Sequence, residues 1–294
     1  MAVFEGAGVA IVTPMYADGS VNYDKLQEII EDQIAKKTDS IVICGTTGEA
    51  STLTHEEHID VIRACVKYVK GRVPVVAGTG SNCTETAIYL SQEAEKAGAD
   101  ALLVVTPYYN KATQNGLFAH YSAVADVSEK PVIMYNVPSR TGCNLAPDTV
   151  ARLAEHPQIV GLKEASGNMA QVAEIFAKCG DKLDIYSGED GITVPMLAMG
   201  GKGCISVLSN VTPKLAVEMT DRFFTGDVAG AAQLQCKLLP LINALFSEVN
   251  PIPAKAAVAA MGFGQEYLRM PLSYMEPENR KRLLQHMQQL GVLA

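Results

Sequence analysis

Short apolar runs alternate with amphipathic stretches along most of the chain. The runs are rich in Val, Ile, Leu and Ala without strict polar alternation, which is typical of parallel strands covered on both faces. We predict eight strands, at Val9–Pro14, Ser40–Gly45, Val73–Gly78, Ala101–Pro107, Pro131–Asn136, Ile159–Ala165, Leu183–Gly188 and Gly203–Ser209. Helical spacing between strands is clearest at Asn22–Lys37, Glu57–Val69 and Thr84–Ala97. This alternation predicts an α/β fold, a (β/α)8 TIM barrel, in preference to a doubly wound sheet.

The pattern becomes wholly helical after Pro213. Helices are predicted at Pro213–Phe224, Val228–Ser247, Pro251–Met261 and Pro277–Leu290. A barrel needs only its eighth helix from this set. We therefore predict a catalytic barrel over residues 1–226 and an additional C-terminal helical subdomain over 227–294.

Composition and charge exclude several classes of protein. The 294 residues are 48% hydrophobic, enough for a large core, and no apolar run approaches the roughly 18 residues that span a bilayer. A net charge of −8 with no basic stripe argues against a nucleic-acid partner. The start of the chain has no basic segment of a signal peptide, and the seven cysteines contain no C-x-x-C pair. We expect reduced thiols and a cytoplasmic protein without membrane association.

Polar side chains follow the predicted strands where chemistry is located in such barrels. Strand two ends in Gly45–Glu49 (GTTGE), strand four in Thr106–Asn110 (TPYYN) and strand five in Tyr135–Gly142 (YNVPSRTG). Strand six carries Lys163 and strand eight carries Ile205. Hydroxyls, tyrosines, an arginine and a lysine are thus predicted to converge on one rim, which packing alone does not explain.

Lys163 lies at the end of the run Ile159–Gly167 (IVGLKEASG). Burial disfavours an ammonium ion and lowers the pKa of a lysine, and a neutral amine attacks carbonyl carbons. A buried lysine ringed by hydroxyls therefore suits an imine with a keto acid. The alternative is that Lys163 reaches solvent or pairs with Glu164 or another carboxylate.

Tyr135 is the best candidate to carry protons during imine formation, with Thr46 and Tyr109 as relay partners. The glycines beside Thr46 and Thr47 allow backbone N–H groups to approach a carboxylate, although GTTGE could also be an ordinary tight turn. Arg140 can grip a second carboxylate through two hydrogen bonds, and its alternative is a surface salt bridge.

Metal catalysis has little support in the sequence. The histidines include no strand-end pair with ligand spacing, and His55 and His58 belong to a segment in which Thr54–Glu57 fits a helix capping box. We expect no metal site and no other cofactor.

These strings together resemble the dihydrodipicolinate synthase branch of the pyruvate-dependent, lysine-type aldolases, from Gly8 to the C-terminus. The specific pieces are GTTGE, YNVPSRTG and Gly161–Ala165 (GLKEA). The resemblance implies that pyruvate forms an imine on Lys163, that Thr46 and Thr47 hold its carboxylate, and that the enamine attacks aspartate semialdehyde to give 4-hydroxy-tetrahydrodipicolinate, the entry to diaminopimelate and lysine.

The resemblance also implies further roles and an assembly. Arg140 would bind the carboxylate of aspartate semialdehyde, and Gly188 and Ile205 would shape the pyruvate end of the site. Tyr109 would come from the neighbouring subunit of a tight dimer, within a tetramer built from two such dimers. Sialic-acid lyases and sugar-acid aldolases generally lack the Ser-Arg-Thr-Gly continuation at Ser139–Gly142, so Arg140 favours the synthase.

Two alternatives and one regulatory expectation remain. The chain could be a related aldolase acting on a sugar acid, or a non-catalytic barrel that binds a keto acid, which would need neither nucleophile nor proton relay. Feedback-sensitive relatives bind lysine near the positions of Ala50, Ser51, His55, His58, Asn82 and Tyr108, with an acidic residue at position 86. Here position 86 is Thr, so we expect weak or absent lysine inhibition.

Overall fold

Eight parallel strands close into a barrel, which confirms the predicted fold. The computed structural model describes residues 2–293. The strands are β1 (Gly6–Ala10), β2 (Ser40–Ile43), β3 (Val75–Gly78), β4 (Ala101–Val105), β5 (Val132–Asn136), β6 (Ile159–Glu164), β7 (Asp184–Ser187) and β8 (Gly203–Ser206). Each strand pairs with the next in the chain, and β8 closes the barrel against β1.

Helices follow the strands and pack around the barrel, and the last three belong to the C-terminal region. They are α1 (Tyr23–Ala35), α2 (His55–Val69), α3 (Thr84–Lys96), α4 (Gln114–Asp126), α5 (Pro138–Thr141), α6 (Pro147–Leu153), α7 (Met169–Cys179), α8 (Thr193–Ala198), α9 (Pro213–Phe224), α10 (Val228–Leu245), α11 (Ile252–Ala260) and α12 (Pro277–Gln289). None of the helices within residues 2–293 is long and apolar enough to cross a membrane.

The first strand begins earlier than its sequence pattern predicts. It spans Gly6–Ala10, whereas the apolar run starts at Val9. The strand opens with Gly6, Ala7 and Gly8, which lack the β-branched side chains that predict a strand. Small residues are needed here because β1 packs closely against β8 where the barrel closes. A Cβ atom on Gly203 of β8 would lie 1.9 Å from the carbonyl oxygen of Gly6. The glycines in these two strands are therefore explained by the close approach of the two backbones, although glycine has a low strand propensity.

Side chains fill the barrel from its N-terminal end. The ring of Phe4 stacks on that of Tyr186, with centroids 4.4 Å apart, and the Tyr186 hydroxyl donates a hydrogen bond to the Phe4 carbonyl at 2.8 Å. Ile205 belongs to the same apolar cluster inside the barrel. This packing fills the lower interior and leaves the polar C-terminal ends of the strands around a cavity.

The last three helices form a second apolar core together with α9. Its buried members include Met219 of α9, Leu238 and Leu241 of α10, Ala257 of α11 and Leu283 of α12. The predicted boundary at residues 226/227 falls in the turn between α9 and α10. Because α9 contributes to this core as well as covering β1, the division into two units remains a prediction.

Candidate active site

A cavity of about 120 Å³ lies at the C-terminal ends of the strands. Residues from five βα connections and from the loop before α11 line it. Six of the predicted site residues are among them: Thr46, Thr47, Tyr135, Arg140, Lys163 and Gly188. The sequence prediction of a common rim is thus reproduced by the geometry for these six.

Lys163 projects into this cavity from β6. Its side chain is largely buried, at 5% exposure. Lys163 pairs in register with Tyr135 on β5, and Nζ lies 4.3 Å from the centroid of the Tyr135 ring, within cation–π range. The two side chains that the chemistry needs together are therefore neighbours across one pair of strands.

No carboxylate neutralises Lys163 in the part of the chain that the structure describes. No ion pair within 4.0 Å in residues 2–293 includes its Nζ. Glu164 points to the other side of the strand, where it accepts hydrogen bonds from Asn136 Nδ2 at 3.0 Å and the Ser166 N–H at 2.7 Å. The alternative in which Lys163 pairs with Glu164 is therefore wrong.

Gly188 gives the lysine side chain its space. A Cβ atom on this residue would lie 2.9 Å from Lys163 Cε and 2.8 Å from Ala165 Cβ. Such distances are shorter than van der Waals contact, so a larger residue would displace the Lys163 side chain. The absence of a side chain at the end of β7 thus helps to position Lys163.

The GTTGE segment forms a tight turn whose two threonines face different surroundings. The Gly48 N–H donates to the Gly45 carbonyl at 3.1 Å, and Glu49 has a left-handed backbone, with φ +55°. Thr47 is buried and its Oγ1 accepts a hydrogen bond from Asn250 Nδ2 at 2.9 Å. Thr46 is exposed to the cavity. The turn is therefore compatible with ligand binding by Thr46.

Arg140 lies on the short helix α5 above the cavity. Its Nη1 is 3.4 Å from the carbonyl oxygen of Asn250. Among the described residues no carboxylate lies within 4.0 Å of its guanidinium. No salt bridge within residues 2–293 therefore occupies Arg140, and its guanidinium keeps hydrogen-bond donors for a ligand.

Two predicted site residues do not line the cavity. Tyr109 is 89% exposed and has a left-handed backbone, with φ +72°. Ile205 is buried in the apolar cluster inside the barrel, and Val207 lines the cavity in its vicinity. The structure therefore does not bring Tyr109 and Ile205 to the cavity within one chain, and their roles in the site remain predictions. Ile205 supports the site only from within the packed interior.

A second cavity of about 340 Å³ adjoins the first and shares Thr46, Tyr135 and Arg140 with it. It extends to most of the positions at which the resemblance places an effector: Ala50, Ser51, His55, His58 and Tyr108. Thr86 also lines it, whereas the neighbouring Glu85 does not. The capping box at Thr54 and Glu57 is confirmed. Burial is the main cause that lowers the pKa of His58, whose Nε2 lies 2.7 Å from the Gly78 carbonyl.

The sequence analysis did not identify Asn250 and Glu189, which also line the cavity around Lys163. Asn250 connects Thr47 and Arg140 from the C-terminal helical region, 203 positions after Thr47. No barrel periodicity could indicate that contact. Glu189 directly follows Gly188 at the end of β7. The expectation that functional side chains follow the strand ends could therefore have identified it.

The family model that describes the dihydrodipicolinate synthetase family matches residues 3–290. The chain belongs to this family. A family member named 4-hydroxy-tetrahydrodipicolinate synthase from Lachnoclostridium phytofermentans is 58% identical over 294 residues, which cover all of both chains. Another with that name, from Geobacter metallireducens, is 53% identical over 281 residues, 96% of this chain and 97% of the relative.

A solved structure shows the same fold in another family member. The chloride-inhibited dihydrodipicolinate synthase of Acinetobacter baumannii, complexed with pyruvate, superimposes with a TM-score of 0.96. It is 43% identical, and the match covers 98% of this chain and 99% of that one. As a dihydrodipicolinate synthetase family member, this chain is a Schiff-base-forming enzyme of the class I aldolase type.

Proposed function

We propose that this chain is a 4-hydroxy-tetrahydrodipicolinate synthase, which condenses pyruvate with L-aspartate 4-semialdehyde in diaminopimelate and lysine biosynthesis. The observation that carries the proposal is a buried lysine without a carboxylate partner, placed beside Tyr135 in the cavity. The full-length relatives with this activity in their names favour it over a sugar-acid aldolase. A keto-acid sensor would not need the nucleophile.

Imine formation begins with Lys163. The amine of this residue attacks C2 of pyruvate, and the resulting carbinolamine expels water to form a C=N bond. The pyruvate carboxylate is bound by Thr46 and Thr47, with the latter held by Asn250. Gly188 leaves the space in which the lysine side chain can approach.

Expulsion of water requires protons to move at the carbinolamine. Tyr135 carries them because its ring lies against Lys163 Nζ, and Thr46 is its partner in this relay. Tyr109 completes the relay from a second subunit. Its 89% exposure in one chain supports this assignment, because a large aromatic side chain so exposed is available to a partner.

Condensation follows once the imine loses a C3 proton and becomes an enamine. C3 forms a bond to the aldehyde carbon of aspartate semialdehyde, whose oxygen gains a proton, while Arg140 binds the substrate carboxylate. The substrate amine then attacks C2, closes the ring and releases the amine of Lys163. One water and one proton, the latter from the substrate's ammonium group, leave overall, and 4-hydroxy-tetrahydrodipicolinate is the product.

We also infer a homotetramer made of two tight dimers, in the cytoplasm, with no nucleic-acid or membrane partner. The inference rests on the exposed Tyr109, on the net charge of −8 and on the absence of C-x-x-C pairs. Sedimentation analysis of wild type and Tyr109→Phe tests the assembly. Both should be tetramers, and only the variant should lose activity. A wild type that is monomeric and fully active would contradict the inference.

Borohydride reduction in the presence of pyruvate, followed by peptide mass mapping, tests the reaction. We expect a pyruvate adduct on Lys163 and none in Lys163→Met, while the buried Lys255 serves as an internal control and remains unmodified. A substrate panel then compares aspartate semialdehyde with 2-keto-3-deoxy sugar acids. No adduct, or one on another lysine, would contradict the proposal and favour a keto-acid-binding barrel.

A further inference from the structure

The catalytic cavity contains one carboxylate, that of Glu189, among its described lining residues. Two cationic side chains, Lys163 and Arg140, line the same space. The proposed mechanism assigns a role to Lys163 and to Arg140, but none to the carboxylate of Glu189.

Glu189 is held at the cavity wall by its own loop. It directly follows Gly188, and its Oε1 lies 3.5 Å from the Gly191 N–H. Its carbonyl accepts a hydrogen bond from Ser187 Oγ at 2.8 Å, which fixes the backbone. The carboxylate is therefore placed at the end of β7, beside the glycine against which Lys163 packs.

No cation of residues 2–293 lies within 4.0 Å of the Glu189 carboxylate. The side chain is half-buried, and this burial is the main cause that raises the pKa of its carboxyl group. The adjacent Asp190 differs, because its Oδ2 accepts hydrogen bonds from the N–H groups of Val207 and Leu208 at 3.0 and 2.9 Å. Asp190 is used structurally, whereas Glu189 lacks a strong donor.

The charges of the substrates match this set of side chains. Pyruvate carries one carboxylate, which the threonines bind. Aspartate semialdehyde carries a carboxylate, which suits Arg140, and an α-ammonium group on the carbon atom that bears this carboxylate. A charged donor that enters a partly desolvated cavity needs an acceptor, or it loses the hydrogen bonds it made in water.

We propose that Glu189 binds the ammonium group of the aldehyde substrate and thereby selects an amino-acid semialdehyde over one without the amine. The assignment rests on the proposed function, since it concerns the second substrate of that reaction. Arg140 and Glu189 then bind the two charged groups on the substrate's α-carbon and orient its aldehyde towards the enamine. Pyruvate activation does not involve Glu189.

The test compares Glu189→Gln with wild type. Gln keeps the shape and removes the charge. We expect KM for aspartate semialdehyde to rise at least about tenfold, because a hydrogen bond between charged groups is lost. Succinate semialdehyde has the aldehyde and the carboxylate but no amine, so it forms no charged hydrogen bond with Glu189. Its inhibition constant should therefore change less than about twofold. The pyruvate adduct after borohydride should form as in wild type, and Glu189→Asp should recover part of the affinity.

Glu129→Gln is the matched control. This exposed glutamate lies before β5, at the opposite end of the barrel, and the substitution changes the net charge equally. It should leave both ligands unaffected. If Glu189→Gln weakens the binding of aspartate semialdehyde and succinate semialdehyde equally, or weakens the binding of neither, the inference is wrong. If wild type itself forms no pyruvate adduct, the proposed function fails instead, so the two failures are distinguishable.

Discussion

Glu49 and Lys255 form a buried ion pair, with 2.5 Å between Oε1 and Nζ and side-chain exposures of only 1% and 2%. Glu49 ends the GTTGE turn, and Lys255 lies on α11 of the C-terminal region. Glu49 also accepts a hydrogen bond from the Arg269 N–H at 3.1 Å. The helical region is therefore bound to the very turn that presents Thr46 and Thr47 to the cavity.

Lys255→Met should destabilise the protein by about 3–5 kcal/mol, because it leaves the charge of Glu49 buried without its partner. Burial already lowers the pKa of Lys255 despite the opposing effect of Glu49. Urea unfolding measures the loss. The KM for pyruvate should rise as well, since the turn that holds Thr47 loses its anchor.

The double variant Glu49→Gln/Lys255→Met distinguishes a paired charge from simple packing. Its loss in free energy of unfolding should be smaller than the sum of the losses in the two single variants, because no unpaired charge remains. Additive losses in urea unfolding would show that the two side chains do not act as a pair.

Gly188→Ala should slow imine formation by about tenfold to a hundredfold, because displacing a reacting group by about 1 Å has effects of that size. The added Cβ would meet Lys163 Cε at 2.9 Å. Rapid-quench borohydride trapping measures the rate. Gly116→Ala is the control, since its Cβ would lie 3.5 Å from Thr113 Oγ1, an ordinary contact, on α4. Equal rates in both variants would exclude a steric role for Gly188.

The barrel could be predicted from the sequence because its strands are nearly continuous apolar runs and the chemistry follows their ends. Lys163 and Tyr135 are found that way, since neighbouring parallel strands bring them into register. Asn250 could not be found, because its contact with Thr47 depends on how the C-terminal region packs on the barrel. Tyr109 lies beyond any argument from one chain, since its proposed site belongs to a second subunit.

Arg140→Ala should retain the pyruvate adduct and lose most condensation activity. The guanidinium is proposed to bind only the second substrate, and loss of a bidentate charged contact is expected to lower kcat/KM for aspartate semialdehyde at least about a hundredfold. Arg140→Lys should recover part of it. An equal loss of adduct formation and condensation would mean that Arg140 acts through its contact with Asn250, as a structural residue.

Lysine should inhibit weakly or not at all. The adjoining cavity presents the uncharged Thr86 where the resemblance expects an acidic side chain, and Glu85 does not line it. Steady-state rates with added lysine measure the effect, and Thr86→Glu should increase it, because a carboxylate attracts the lysine ammonium groups. Strong inhibition of wild type at low lysine concentration would overturn the prediction.

Asp39→Asn should stabilise the protein at neutral pH without changing activity. Asp39 lies before β2, at the end of the barrel opposite the cavity, and its Oδ2 accepts a hydrogen bond from the Ala7 N–H at 2.7 Å. Burial is the main cause that raises the pKa of its carboxyl group from 3.8 to about 6. The folded state therefore holds the proton more tightly than the unfolded chain, and this stabilisation is present below pH 3.8 and is lost as pH rises to about 6.

Asn at position 39 mimics the protonated form at every pH and can still accept the hydrogen bond from the Ala7 N–H. Urea unfolding between pH 4 and 7 should thus show the gain of the variant over wild type growing with pH, towards about 1–3 kcal/mol. A difference that stays constant across this range would show that ionisation of Asp39 does not limit stability.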